Sequence, residues 1–187
     1  MAMSPALPTD PLRVYVEAAQ EGDDIALGHV VRATQPAVWR LCSSLGTPGS
    51  VEDLVQETYL RAMRSLPAFR GETPVQVWLL AIARRVCADD IRKRQRVRRL
   101  VDRLVVNTPA DPAHPSDTEH QHVERQQVES LLVELDRDRR EAFVLTQVVG
   151  LSYQEAADVL GCPVGTVRSR VARARADLLE LVERASA

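Results

Sequence analysis

The stretch GCPVGTVRSRVARARADL, residues 161–178, holds four arginines between Pro163 and Arg175 and no acid. Guanidinium groups suit phosphate oxygens and the O6/N7 edge of guanine, which they can meet bidentately. At 3.6 residues per turn, Val164, Val167, Val171, Ala174, Leu178 and Leu181 fall on one apolar stripe. Ser169 points away from that stripe, with Thr166, Ala172 and Arg173 beside it, and Arg168, Arg170 and Arg175 lie on the flanks. A helix in a DNA major groove needs this order: outward side chains for base edges, flanking cations for phosphates. Arg173 can pair with guanine, worth about 1–3 kcal/mol of discrimination, while Ser169 can donate or accept and Ala172 can touch a thymine methyl. The alternative is a solvated basic face on a helix that packs elsewhere.

A second basic run closes the first half of the chain. From Arg84 to Arg103, nine Lys or Arg stand against three Asp, a local net of +6, although the whole chain carries −2. Trp78, Ile82 and Val86 mark the packing side of that segment. Two basic surfaces on separate helical blocks imply two contacts on one nucleic acid. The acids that balance them lie mainly within residues 111–141, so charge is segregated along the chain. Asp89 and Asp90 form a tempting carboxylate pair, but adjacent helix positions point apart. Their spacing to Arg92, Lys93 and Arg94 predicts ion pairs along one helix.

Residues 51–66 pose a different question. Val51, Leu54, Val55, Tyr59, Ala62 and Leu66 make a buried face, and Asp53, Gln56, Glu57, Leu60 and Arg64 lie opposite. Carboxylates around an outward leucine would repel phosphates, so this face is either a solvated surface or a protein-docking site.

The elements that must position these groups are helices throughout. Loose i, i+3, i+4 apolar patterns predict helices over 12–20 and 25–45. A third starts at Ser50, a candidate cap with Asp53 three residues on, and stops before Pro67. After the loop PAFRGE, Thr73-Pro74 supplies a cap and a first-turn proline for a helix running to about Gln95. The second block opens with two helices that break near Asp136–Asp138 and end at Gly150. Ser152 and Glu155 form a capping box for a short helix over 153–160. The turn Gly161-Cys162-Pro163 then leads into the arginine-bearing helix, making a helix-turn-helix. No segment alternates as a strand would, so the fold class is all-α.

Between the blocks, NTPADPAHPSDTEHQH (107–122) carries Pro109, Pro112 and Pro115 without apolar periodicity and reads as a tether. The expected organisation is a tail (1–9), a first domain (10–100), a linker (101–123) and a second domain (124–187). Cys42, Cys87 and Cys162 lack metal-binding or redox spacing and read as small buried or half-buried residues. His29 is isolated, and His114, His120 and His122 fall in the tether. No Gly-rich phosphate loop, clustered metal set or nucleophile motif is present, so neither an enzyme nor a bound metal or cofactor is expected. No apolar run reaches the length of a membrane span, and the N-terminus lacks a signal-peptide pattern, which points to a cytoplasmic protein. A DNA-binding regulator would need only the second block beside a receiver or ligand domain, and the first block has neither pattern.

Three stretches together resemble the bacterial extracytoplasmic-function (ECF) sigma factors of the sigma-70 class. They are DLVQETYLRA (53–62), FRGETPVQVWLLAIARR (69–85) and GLSYQEAADVLGCPVGTVRSRVARAR (150–175). In detail the chain is most similar to the actinobacterial sigma-C type. The resemblance implies a sigma-2-like and a sigma-4-like domain that bind core RNA polymerase, through its β′ clamp helices and β flap, and span promoter DNA. An anti-sigma factor is a further partner common in the family. It implies docking on polymerase by Asp53, Gln56, Glu57, Leu60 and Arg61. It implies −10 recognition and melting by Phe69, Arg70, Gly71, Trp78, Arg84, Arg85, Asp89 and Arg92. Thr166, Arg168, Ser169, Arg170, Ala172, Arg173 and Arg175 match positions that read the −35 element. The chain departs from the family at Arg85, where many members carry Asn, and at Ala172, which replaces a bulkier residue of some relatives.

Overall fold

The structure, a computed structural model, describes residues 10–104 and 131–186, with side chains described for 10–100 and 131–184. The expected tail at 1–9, the linker from 105 onward and its three histidines lie outside the described residues. Among the described residues every regular element is helical, as the apolar periodicity requires.

Helix α1 (Arg13–Gln20) leads through a turn at Gly22 into α2 (Asp24–Leu45). Asp23 starts α2 by accepting from the Ile25 and Ala26 amides at 2.8 and 3.0 Å. Helix α3 (Val51–Ser65) does not receive its expected cap from Ser50. That serine is 3% exposed, sits at φ −117° and ψ 9° instead of in the extended region a capping serine uses, and donates to the Thr47 carbonyl at 2.7 Å. A 3-10 turn, Leu66–Ala68, follows where Pro67 stops the helix.

Helix α4 (Val75–Leu104) differs from expectation at both ends. Its cap is the Asp10 carboxylate, which accepts from the Val75 amide at 2.6 Å, and not Thr73. It also continues past Gln95, because 96–104 contains no glycine or proline and is rich in helix-favouring arginine and leucine.

In the second block, 131–134 is helical and α5 (Arg137–Phe143) runs into a π-helical turn, Val144–Val148. Helix α6 (Tyr153–Leu160) has the expected capping box: Ser152 Oγ accepts from Glu155 N at 3.2 Å, and Glu155 Oε2 accepts from Ser152 N at 2.8 Å. Gly161 closes α6 at φ +66°, a conformation that side chains with a Cβ resist. Helix α7 (Val164–Ser186) completes the helix-turn-helix.

The two blocks pack against each other. Leu41, Leu80 and Ala83 of the first belong to one apolar cluster with Ala142, Leu145, Val167 and Val171 of the second. Helix α4 packs on α6, and α2 packs on the π turn. Glu141, 5% exposed, sits at the seam and accepts from Arg84 Nε at 2.6 Å and Arg137 Nε at 2.9 Å. Arg140 Nε donates across the seam to the Ser44 carbonyl at 3.0 Å. Cys42 and Cys87 are buried and Cys162 is half-buried, all as free thiols, in line with the sequence reading. The Cys87 thiol, 4.0 Å from the Cys42 sulfur, is pushed up by that contact and by burial.

Substituting Glu141→Ala leaves two arginines without their shared acceptor at the seam. Breaking a buried pair costs about 3–5 kcal/mol, and partial exposure of Arg84 reduces the expected loss to about 2 kcal/mol. Glu141→Gln keeps an acceptor and loses less. Urea denaturation measures both, and an unchanged midpoint in the alanine variant would show that the seam pair contributes nothing.

Candidate nucleic-acid interface

On α7, burial of Val167, Val171 and Ala174 at 0–1% exposure turns the opposite side outward. Arg168, Ser169, Ala172, Arg173 and Arg175 are exposed there, and Thr166 and Arg170 are half-buried at its edge. The arginines are not equivalent. Arg168 lies over the Tyr153 ring of α6, its guanidinium carbon 5.9 Å from the ring centroid. Arg175 donates to Gln147 Oε1 at 2.7 Å. Arg170 turns back to the Asp138 carboxylate and the Cys162 sulfur, which ties α7 to α5 and to the preceding turn. Arg173 has no polar partner among the described residues. Ser169 donates to the Thr166 carbonyl at 2.9 Å and keeps its lone pairs for a ligand donor.

The first block places its predicted residues in three groups. Phe69 and Trp78 lie against each other, tilted by 34° with ring centroids 4.6 Å apart, and with Arg70, Glu72 and Thr73 line a cavity of about 320 Å³ beside the 3-10 turn. Gly71 forms the bend of that loop at φ +69°. Arg84 lies on α4 with its guanidinium held in the seam by Glu141, whereas Arg85 is exposed. Asp89 and Arg92 stand apart from the cavity: Asp89 Oδ2 accepts from Arg61 Nη1 at 2.7 Å, and Arg92 binds the other carboxylate oxygen. Those two hydrogen bonds hold the Asp89 carboxyl below the usual carboxylate range, and Asp89 followed by Glu57 raises the Arg61 guanidinium.

Arg61 Nε also donates to Glu57 Oε1 at 2.7 Å, so Glu57, Arg61 and Asp89 form one chain of charge between α3 and α4. A groove of about 470 Å³ runs there, lined by Asp53, Glu57, Arg61 and Asp89 among others. Asp53 and Gln56 are exposed beside it, and Leu60 is 37% exposed on the same helix. The residues expected to dock therefore share one face, and Asp89 belongs with them.

Sequence reasoning passed over several residues that set this geometry. Glu141 and Arg140 fix the seam, Tyr153 and Gln147 hold recognition-helix arginines, and Asp10 and Gln20 reach the cavity loop. Only Tyr153 carried a signal, as an aromatic at the start of a helix that must face α7. The others act through contacts tens of residues away, which periodicity does not encode. Among the described residues no three His, Cys, Asp or Glu gather as a metal site, and no helix is long and apolar enough to cross a membrane.

The chain matches two family descriptions in the order of its blocks: Sigma-70 region 2 over residues 30–97 and Sigma-70, region 4 over residues 125–178. It is 45% identical over 166 residues to the ECF RNA polymerase sigma factor SigC of Mycobacterium tuberculosis, covering 87% of this chain and 86% of that one. Among solved structures, it is similar to CnrH in complex with the cytosolic domain of CnrY, with TM-score 0.74, 31% identity and 92% and 97% of the two chains covered. It is also similar to the sigma factor RpoE in complex with the anti-sigma factor NepR from Bartonella quintana, with TM-score 0.69, 32% identity and 84% and 96% covered. With both sigma-70 regions in order and 45% identity over most of its length to an ECF sigma factor, the chain belongs to the ECF sigma factors, the RNA polymerase subunits that direct transcription initiation at promoters.

Proposed function

We propose that the first block (10–100) docks on core polymerase and captures unwound −10 DNA, while the second (124–187) grips duplex −35 DNA. The observation that carries this reading is the cavity that Phe69 and Trp78 line together with Arg70, Glu72 and Thr73. It is small, aromatic on one side, and bordered by the cation Arg70, which suits an extruded base and its phosphate. Unstacking a base costs a few kcal/mol, which stacking and phosphate contacts offset. Arg85, exposed farther along α4, grips the adjoining backbone. In the second block Arg173 reads a base, Ser169 and Ala172 lie beside it, and Arg168 and Arg175 contact phosphates. Arg170 acts from behind by fixing α7.

The α3 face of Asp53, Gln56, Glu57 and Leu60, with Arg61 and Asp89 bracing it, docks on the β′ clamp helices. The second block adds the contact to the β flap. Elements at −10 and −35 lie about 25 base pairs apart, or ~85 Å of duplex axis. Helix α4, the longest element, is roughly 45 Å long. Two blocks sharing a core cannot reach both elements, so the seam parts on engagement and Arg84 is released from Glu141. The similar sigma factor RpoE, solved with the anti-sigma factor NepR, supports such a partner here as well. The protein acts in the cytoplasm, where polymerase and promoters are, and leaves the chemistry of RNA synthesis to the polymerase.

Permanganate footprinting with purified core polymerase, on a promoter selected by run-off transcription of genomic fragments, tests the whole reading. Unpaired thymines near −10 that require both proteins are expected; binding without unpairing would contradict it. Arg173→Ala should lose about 1–3 kcal/mol of −35 discrimination in duplex competition assays. Arg170→Ala should instead lower the thermal midpoint while keeping base preference. Leu60→Asp should weaken binding to core polymerase at least tenfold in a pull-down titration, with isolated −35 duplex affinity unchanged.

A further inference from the structure

Helix α1 precedes the region 2 match, which begins at residue 30, and has no surface in the DNA or polymerase assignments above. Yet its Gln20 and the Asp10 that precedes it hold the cavity loop at both ends, and its Arg13 lies beside the bend. At one end, Gln20 Nε2 donates to the Leu66 and Phe69 carbonyls, both at 2.8 Å. These carbonyls belong to the first residue of the 3-10 turn and to the residue that closes it, so one amide group clamps the turn leading to Phe69. At the other end, Asp10 Oδ2 accepts from the Val75 amide at 2.6 Å and Oδ1 accepts from Leu12 N at 3.0 Å. Between them, Gly71 stands at φ +69°, and a Cβ there would lie 3.2 Å from the Arg13 guanidinium carbon. Beneath, Val16 at 1% exposure packs in one cluster with Leu66, Val75 and Leu79, and Phe69 and Trp78 rest on its margin.

We infer that α1 and its leading residue Asp10 form a brace that presets the base-capturing loop, with Gln20 and Asp10 as positioning residues for −10 recognition. The inference rests on the reading of the Phe69–Trp78 cavity as the −10 pocket. A loop anchored at both ends loses less conformational freedom when a base enters, and its aromatic pair keeps the separation and tilt that stacking requires. Neither Gln20 nor Asp10 needs to touch DNA. Gln20 is exposed, so removing its amide changes the loop more than the core.

The test uses holoenzyme assembled from core polymerase and the full chain, on promoter DNA carrying 2-aminopurine at successive −10 positions. Wild-type holoenzyme should give a fluorescence rise at the extruded position, abolished by substituting the neighbouring −10 bases. Gln20→Glu, isosteric but unable to donate to two carbonyls, should weaken that response about tenfold and flatten its dependence on the −10 sequence. Gln20→Lys, which restores a donor, should recover most of it. Asp10→Ala should behave like Gln20→Glu, and Asp10→Asn, which keeps an acceptor oxygen, should not. Core-polymerase and −35 duplex affinity should stay at wild-type values in all four, and so should the thermal midpoint of both Gln20 variants; Asp10→Ala, which also removes the α4 cap, should lower its midpoint by a few degrees. Wild-type base discrimination in both Gln20→Glu and Asp10→Ala would overturn the brace, as would a loss in Gln20→Glu matched by a fall in its core affinity or thermal midpoint. Absence of any fluorescence rise with wild-type holoenzyme would overturn the −10 pocket itself, and the brace with it.

Discussion

Burial of the apolar face of α4 is the constraint on which the rest of the molecule depends. Leu79 and Leu80, 1% and 0% exposed, together with Ala83, Val86 and Cys87, present a surface that α2, α3 and α6 all need to cover their own apolar sides. At about 25 cal/mol per Å² of apolar area removed from water, a face shared by three partners outweighs any single ion pair on the surface. The same helix becomes exposed and cationic from Arg92 onward. One element thus organises the core at its start and presents basic side chains to solvent from Arg92 to Arg99, and its N-terminus abuts the cavity loop.

Charge in this protein is arranged by pairing as much as by segregation. The Arg61–Asp89–Arg92 group and the Asp90–Arg94 pair place acid inside the basic stretch of α4 and bind it to α3. On the second block, Arg139 pairs with Asp177 at 2.7 Å, and that hydrogen bond raises its guanidinium further. The contrast along α7 is then informative. Among the described residues Arg173 stands without a polar partner on the outer side of the helix, while its neighbours are held by Tyr153, Gln147 and Asp138. One arginine of the helix is therefore left open, and the others are held within the scaffold.

Much of this is legible in the sequence, and the reasons differ by element. The capping box at Ser152 and Glu155, the left-handed Gly161 and the Val167, Val171, Ala174 stripe are local signals, so residue types and spacing alone define the helix-turn-helix. The outward Leu60 among carboxylates is visible for the same reason. Ser50 misleads because a capping residue type does not guarantee the extended backbone a cap requires, and Thr73 because the Val75 amide is taken by Asp10, 65 positions away. Helix α4 outruns its expected end because dense charge is no boundary when the charge is carried by arginine, a good helix former. The union of the blocks has no local signal: the prolines of the tether indicate separability, and only facing apolar residues such as Leu41 and Leu145 reveal that the blocks pack.

The central claim is that one chain, closed around α4, opens to span two promoter elements on polymerase. The distance between labels at Glu21 and Glu180, measured in the free chain and in the polymerase–promoter complex, tests it most directly. A single short distance in the free chain that lengthens by tens of ångströms in the complex is the predicted result. The same distance in both would contradict the account.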